Sequence, residues 1–317
     1  MNKRLRLLIP VLFAGLVLTQ ACNRPGKPHD SGGLSGDLVI FHAGSLSIPF
    51  KMLADSFRVL HPDVIIKSES AGSLASIRKI TDLNRPCDIL ASADYILVDK
   101  LMIPEHADWN LLFAGNEMAI VYHEKSRYAA EINPHNWHEI LMRPDVSYGR
   151  SDPDSDPCGY RAILTMKLAE SGGLKPGFTR VMLEKDRKYI RPKEVDLLAL
   201  LESGALDYIF LYRSVAIQHK LPYLELPDSI NLSDPELNAF YSTVSVDVAG
   251  NRPGESITQK GEAMIYGLTI PKNSNNPEAA EAFIKFLTGP GMSLIEKAGQ
   301  LAIKPAPSEG SVSLPTF

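Results

Sequence analysis

An α/β chain folded into two lobes is the expectation this sequence raises, and three observations raise it. Short apolar strands alternate with amphipathic helices from Asp37 onward. A second alternating block begins near Met118, and a chain of 317 residues supplies core enough for about two domains. A composition that is 44% hydrophobic and 22% charged is that of a globular protein, which excludes the disordered, collagen-like and disulfide-scaffold classes.

The N-terminus stands apart from that body. Lys3, Arg4 and Arg6 precede the apolar run Leu7–Leu18, and Thr19-Gln20-Ala21-Cys22 follows it, which is the order of an export signal. The run is short for a membrane span. A small residue directly before a cysteine resembles a bacterial lipoprotein processing site, with residues 1–21 removed and Cys22 lipidated. Thr19 and Gln20 depart from the usual pattern, and an ordinary signal peptide or an uncleaved anchor is the alternative. Residues 22–36 are rich in Pro, Gly and Ser and read as a flexible tether. The whole chain carries a formal charge of -4; without Lys3, Arg4 and Arg6, about 30 basic residues face 37 acidic ones. A nucleic-acid partner needs a basic surface, so this balance excludes one.

Within the body, Leu38–Phe41 reads as a strand, and Leu46, Phe50, Leu53 and Phe57 recur at helical spacing after it. Val64–Ile66 is the next strand; Leu74, Ile77 and Ile80 mark a second helix, and Asp88–Ala91 returns to strand. This βαβαβ succession favours parallel pairing with helices on the faces. The second block holds the strand Met118–Tyr122, a loop at Ser151–Gly159, helices near Tyr160–Glu170 and Glu194–Leu201, and the strand Tyr208–Tyr212. An alternating strand at Ser242–Val248 and a helix opened by Asn276-Pro277-Glu278 complete the chain. The expected lobes are 37–117 plus 243–317, and 118–242, with Met118–Tyr122 and Thr243–Val248 as hinge candidates. Cys87 and Cys158 permit a disulfide but do not require one. His135 and His138 lack a third ligand, so no metal site of the zinc type is expected from them.

One motif is repeated. Ala43-Gly44-Ser45-Leu46 and Ala71-Gly72-Ser73-Leu74 each follow a strand and precede a helix. Glycine lets the backbone approach a ligand, serine supplies a hydroxyl, and a helix start offers unpaired N–H groups. Two such turns aimed at one point would bind an anion; the plainer reading is that Ser45 and Ser73 are only helix caps. Asp156-Pro157 likewise reads as a cap followed by the first helical residue, and Tyr212 as either a cleft donor or an ordinary strand aromatic. A hydrolase would want a G-x-S-x-G elbow with a histidine base; Gly44-Ser45-Leu46-Ser47 does not fit it, so no enzyme is expected.

Six segments in order, FHAGSLSIPF (Phe41–Phe50), SAGSLASIRKI (Ser70–Ile80), LMIPEHADW (Leu101–Trp109), DPCGYR (Asp156–Arg161), DYIFLYRSVAIQH (Asp207–His219) and LELPDSINLSD (Leu224–Asp234), resemble the molybdate/tungstate-binding proteins of ABC importers, particularly the tungstate-selective branch. The resemblance implies the type II periplasmic-binding fold, each lobe a mixed sheet flanked by helices, with an oxyanion held between lobes. It implies delivery to an ABC permease and its ATPase by a monomer that needs no cofactor. Carried over residue by residue, it makes Ser45, Ser73 and Tyr212 hydrogen-bond donors to the oxyanion and Asp156 and Glu225 carboxylate ligands of the metal, with Asp154 as an alternative to Asp156. A carboxylate beside a dianion is repulsive unless its oxygens bond the metal itself. Sulfur and phosphorus do not readily expand their shells this way, so such carboxylates would turn sulfate and phosphate away.

Overall fold

The computed structural model describes residues 33–250 and 254–313. Residues 1–32, and with them the expected signal, most of the tether and Cys22, lie outside the described residues. Residues from Leu34 onward form one compact unit.

Thirteen strands are described in chain order: β1 (Gly36–His42), β2 (Val64–Ser70), β3 (Ile89–Ser92), β4 (Leu111–Gly115), β5 (Met118–Tyr122), β6 (Tyr148–Ser151), β7 (Ile190–Arg191), β8 (Tyr208–Tyr212), β9 (Tyr223–Glu225), β10 (Ser245–Ala249), β11 (Ser256–Lys260), β12 (Ile265–Thr269) and β13 (Leu301–Pro307). The first sheet runs β13-β4-β12-β3-β1-β2 and the second β7-β6-β8-β5-β9. Both are mixed. In the first, β1 pairs in parallel with β2 and β3, and β12 runs antiparallel to β3 and β4; in the second, β6 pairs in parallel with β7 and β8, while β5 is antiparallel to β8 and β9. β10 and β11 form a separate antiparallel pair.

The chain leaves the first sheet at Gly115 and enters the second at Met118. One crossing is thus Asn116-Glu117, and the chain returns to the first sheet between β9 and β12. Met118–Tyr122, a hinge candidate by sequence, is instead an inner strand of the second sheet, flanked on both sides.

Packing explains why these elements persist. The helix Ser47–Leu60 buries Phe50, Leu53 and Phe57, and Phe57 meets Phe283 of the helix Pro277–Thr288 edge-on with ring centroids 5.2 Å apart. Each such fully buried ring contributes roughly 1.5–3 kcal/mol. The helix Pro157–Ser171 is buried nearly all round, which accounts for the weak amphipathic signal of its sequence. It starts where Asp156 caps the Cys158 N–H and Pro157 occupies the first position. Cys87 and Cys158 are both free and buried. Among the described residues no helix is long and apolar enough to cross a membrane.

Candidate functional site

The residues singled out by sequence follow the carboxyl ends of parallel strands, where α/β sheets hold their ligands. Ser45 follows β1, Ser73 follows β2, Asp156 follows β6, and Tyr212 ends β8. All four are buried, none more than 1% exposed. The two sheets meet over them. A Cβ at Gly72 would stand 2.1 Å from the Ser155 carbonyl oxygen and 3.1 Å from Asp156 Cβ, so glycine there is what lets the first sheet's turn approach the Asp156 loop.

Gly44 points to a residue the sequence reading treated only as a helix start. A Cβ at Gly44 would lie 2.8 Å from both carboxylate oxygens of Glu194. Glu194 follows β7 and is completely buried, and neither of its carboxylate oxygens has a hydrogen-bond partner of good geometry. Its backbone N–H donates to Asp156 Oδ2 at 2.8 Å, while Asp156 Oδ1 accepts from Cys158 N at 3.3 Å. Two carboxyl groups are thus packed side by side away from water. Burial raises the pKa of Asp156, and burial together with the neighbouring Asp156 charge raises that of Glu194 well above the carboxylate range. The sequence signal that was available is the run Pro192-Lys193-Glu194 immediately after a strand, a placement equivalent to that of Ser45 and Ser73.

Glu225 is not part of this cluster. It ends the edge strand β9 opposite Ala119, with Leu224 turned inward and the Glu225 side chain exposed, as alternation along a half-buried strand requires. Asp154 is exposed too, and its Oδ1 accepts from the Ala249 N–H at 2.8 Å.

The serines are not helix caps. The helix beginning at Ser47 and the one beginning at Ser73 both lack a side-chain cap. Ser45 Oγ accepts from Tyr266 Oη at 3.0 Å, and Ser73 Oγ accepts from the Ala93 N–H at 2.9 Å. Tyr212 Oη accepts from Arg161 Nη1 at 3.2 Å. Arg161, itself buried, also donates to the Ala93 carbonyl at 2.5 Å and pairs with Asp94 at 3.6 Å. Tyr160 hydrogen-bonds the same Asp94. The helix behind Asp156 therefore reaches across to the first sheet's β3 loop through two consecutive side chains. His42, near Ser45 in sequence, turns Nδ1 to the Ala43 carbonyl at 2.8 Å, and burial lowers its pKa.

Residues 38–299 match the family of bacterial extracellular solute-binding proteins. The chain belongs to that family. Relatives within it include an uncharacterized solute-binding protein of Petrotoga mobilis, 51% identical over 86% of this chain and 85% of its own. The molybdate/tungstate-binding protein WtpA of Pyrococcus abyssi is 43% identical over 83% of each chain, and that of Thermococcus kodakarensis 40% identical over 89% of this chain and 85% of its own. Among solved structures, the periplasmic molybdate-binding protein of Azotobacter vinelandii superposes with a TM-score of 0.62 at 16% identity, covering 84% of this chain and 99% of its own. The sulfate-binding protein SubI of Mycobacterium tuberculosis does so at 0.60 and 15% identity, covering 84% and 87%. These solved structures thus share the fold of this chain, and the fold expected from the sequence is the fold observed.

Proposed function

We propose that the protein captures tungstate or molybdate outside the cytoplasmic membrane and delivers it to an ABC permease and its ATPase. The observation that carries this reading is the buried pair Asp156 and Glu194, with neither Glu194 oxygen holding a hydrogen-bond partner of good geometry where the two sheets meet. Relatives named for molybdate and tungstate at 40–43% identity support it.

The chemistry follows from the charges. Once ionised, the pair repels sulfate and phosphate, whose central atoms keep four oxygens. Tungsten and molybdenum accept further oxygen ligands, so the same carboxylates become bonds rather than obstacles. In this reading Asp156 and Glu194 bond the metal, and the second carboxylate role that the resemblance implied for Glu225 passes to Glu194. Ser45, Ser73 and Tyr212 donate to the oxo groups, and the start of the helix Ser73–Thr81 adds backbone N–H groups. Arg161 supplies the nearby positive charge. No cofactor enters. The lobes are the sheet-bearing segments 37–117 with 243–317, and 118–242, closing on the ligand about the crossing Asn116-Glu117. Cys22, lipidated after removal of residues 1–21, tethers the monomer to the membrane; replacing it by Ala should release the protein from the membrane fraction.

Calorimetric titration with tungstate, molybdate, sulfate and phosphate tests the reading. Tungstate and molybdate should bind, and sulfate and phosphate should give no heat of binding. Binding of sulfate as tight as that of tungstate contradicts the carboxylate argument.

A further inference from the structure

Every hydroxyl assigned to the ligand already accepts one hydrogen bond, and none donates to a described residue: Ser45 from Tyr266, Ser73 from the Ala93 N–H and Tyr212 from Arg161. For Ser45 the direction of the proton can be traced one step further out. Asn116 lies in the crossing between the sheets and is buried. Its Oδ1 accepts from the backbone N–H of Glu117 at 3.0 Å and of Ser214 at 3.4 Å. That orientation leaves Nδ2 facing Tyr266 Oη at 2.6 Å and Ser214 Oγ at 2.7 Å. An amide nitrogen only donates, so the phenol accepts there. Its single proton goes to Ser45 Oγ. Ser45 accepts that proton's hydrogen bond, and its own proton must point elsewhere.

We propose that Tyr266, held by Asn116, is a positioning residue that commits the Ser45 hydroxyl to donating to an oxyanion oxygen. The proposal rests on the tungstate and molybdate reading of the site. Tyr266 reaches no ligand in this account; it acts by fixing a rotor. A tetraoxo dianion presents acceptors only, so a hydroxyl whose own proton is barred from turning to Tyr266 is matched to it before the ligand arrives. Because Asn116 belongs to the crossing, the orientation of Ser45 is built into the segment about which the lobes close. The Tyr266 ring packs between Phe113 and Tyr212, with centroids 6.1 and 6.4 Å away, so loss of the phenol oxygen leaves the packing in place.

The test is a double-mutant cycle on the full chain with tungstate as the titrant. Tyr266→Phe should weaken binding about fivefold in the otherwise native protein and less than about twofold in a Ser45→Ala background, because both changes remove one interaction. A second readout is the metal–oxygen stretching band of bound molybdate in Raman spectra. Ser45→Ala should shift it, Tyr266→Phe should shift it the same way, and the double variant should match Ser45→Ala alone. Thermal unfolding of ligand-free Tyr266→Phe within a few degrees of the native protein shows that the fold is kept. Equal losses in both backgrounds, with native tungstate binding intact, overturn the relay alone. Failure of the native protein to bind tungstate overturns the site reading and the relay together.

Discussion

Three carboxyl groups, Asp186, Asp156 and Glu194, are buried beneath the loops of the second sheet, and they are held in two opposite arrangements. Asp186 accepts from Arg150 Nε at 2.7 Å, and both side chains are almost wholly out of water. Asp156 and Glu194, at the ends of neighbouring strands, are equally buried but face each other, and Glu194 lacks any well-made partner. The first arrangement neutralises a charge inside the fold. The second leaves acidic groups in a dry place with no cation of the protein paired to them, which a fold tolerates only by keeping protons on them or by bonding something else. A buried ion pair therefore marks structure here, and a buried uncancelled pair marks the site.

The comparison can be broken by substitution. Glu194→Gln or Asp156→Asn should weaken tungstate binding by at least about a hundredfold, ~3 kcal/mol, in calorimetric titration, while ligand-free thermal unfolding stays the same or rises, since a buried charge is removed. If the loss were in melting temperature with affinity unchanged, Asp156 would be only a cap. Asp186→Asn should do the reverse, costing about 3 kcal/mol of stability by stranding Arg150, measured by urea unfolding, with tungstate affinity intact.

A smaller effect separates the pairs by pH. Burial raises the folded-state pKa of Asp156 and Glu194, of Glu262 to about 7 and of Asp186 to about 6. Unfolded carboxyls titrate near 4. The folded protein thus holds protons that the unfolded chain has lost, and the stability this contributes is present at low pH and falls away as pH rises through the folded values. Glu69, held at about 2 by Arg85 and Lys79, contributes in the opposite sense only below pH 4.5, and His42, lowered by burial, opposes the four carboxyls below about pH 6.5. Ligand-free protein should therefore melt higher at pH 5.5 than at pH 8. Saturating tungstate should reduce or reverse that difference, because metal-bound carboxylates must be deprotonated. The smallest effect is expected at Glu225, exposed at the sheet edge: Glu225→Gln should change tungstate affinity less than about twofold.

Much of this was legible in the sequence, and the failures have physical causes. The repeated Ala-Gly-Ser-Leu turns were readable because glycine before a helix start has a backbone meaning that does not depend on distant residues. The strands Met118–Tyr122 and Tyr208–Tyr212 were readable as apolar runs of strand length. Tyr148–Ser151 was not, because Tyr-Gly-Arg-Ser has no strand composition; it is a strand because β8 pairs with it and Tyr148 is buried. Glu194 was missed for a related reason. Its one local signal, a position just after a strand, rests on a strand of only two residues, Ile190–Arg191, and its meaning comes from Gly44, 150 positions away in sequence. Glu225, by contrast, sat in a segment whose resemblance was strong and whose side chain faces outward. The Tyr266 relay had no sequence signal at all, since it depends on an amide orientation set by two backbone N–H groups.

X-ray absorption at the tungsten edge of the tungstate-loaded protein addresses the central claim most directly. Bonding by Asp156 and Glu194 predicts two oxygen ligands beyond the four oxo groups, and the loss of one of them in Glu194→Gln. A four-coordinate spectrum identical to that of free tungstate would contradict the account.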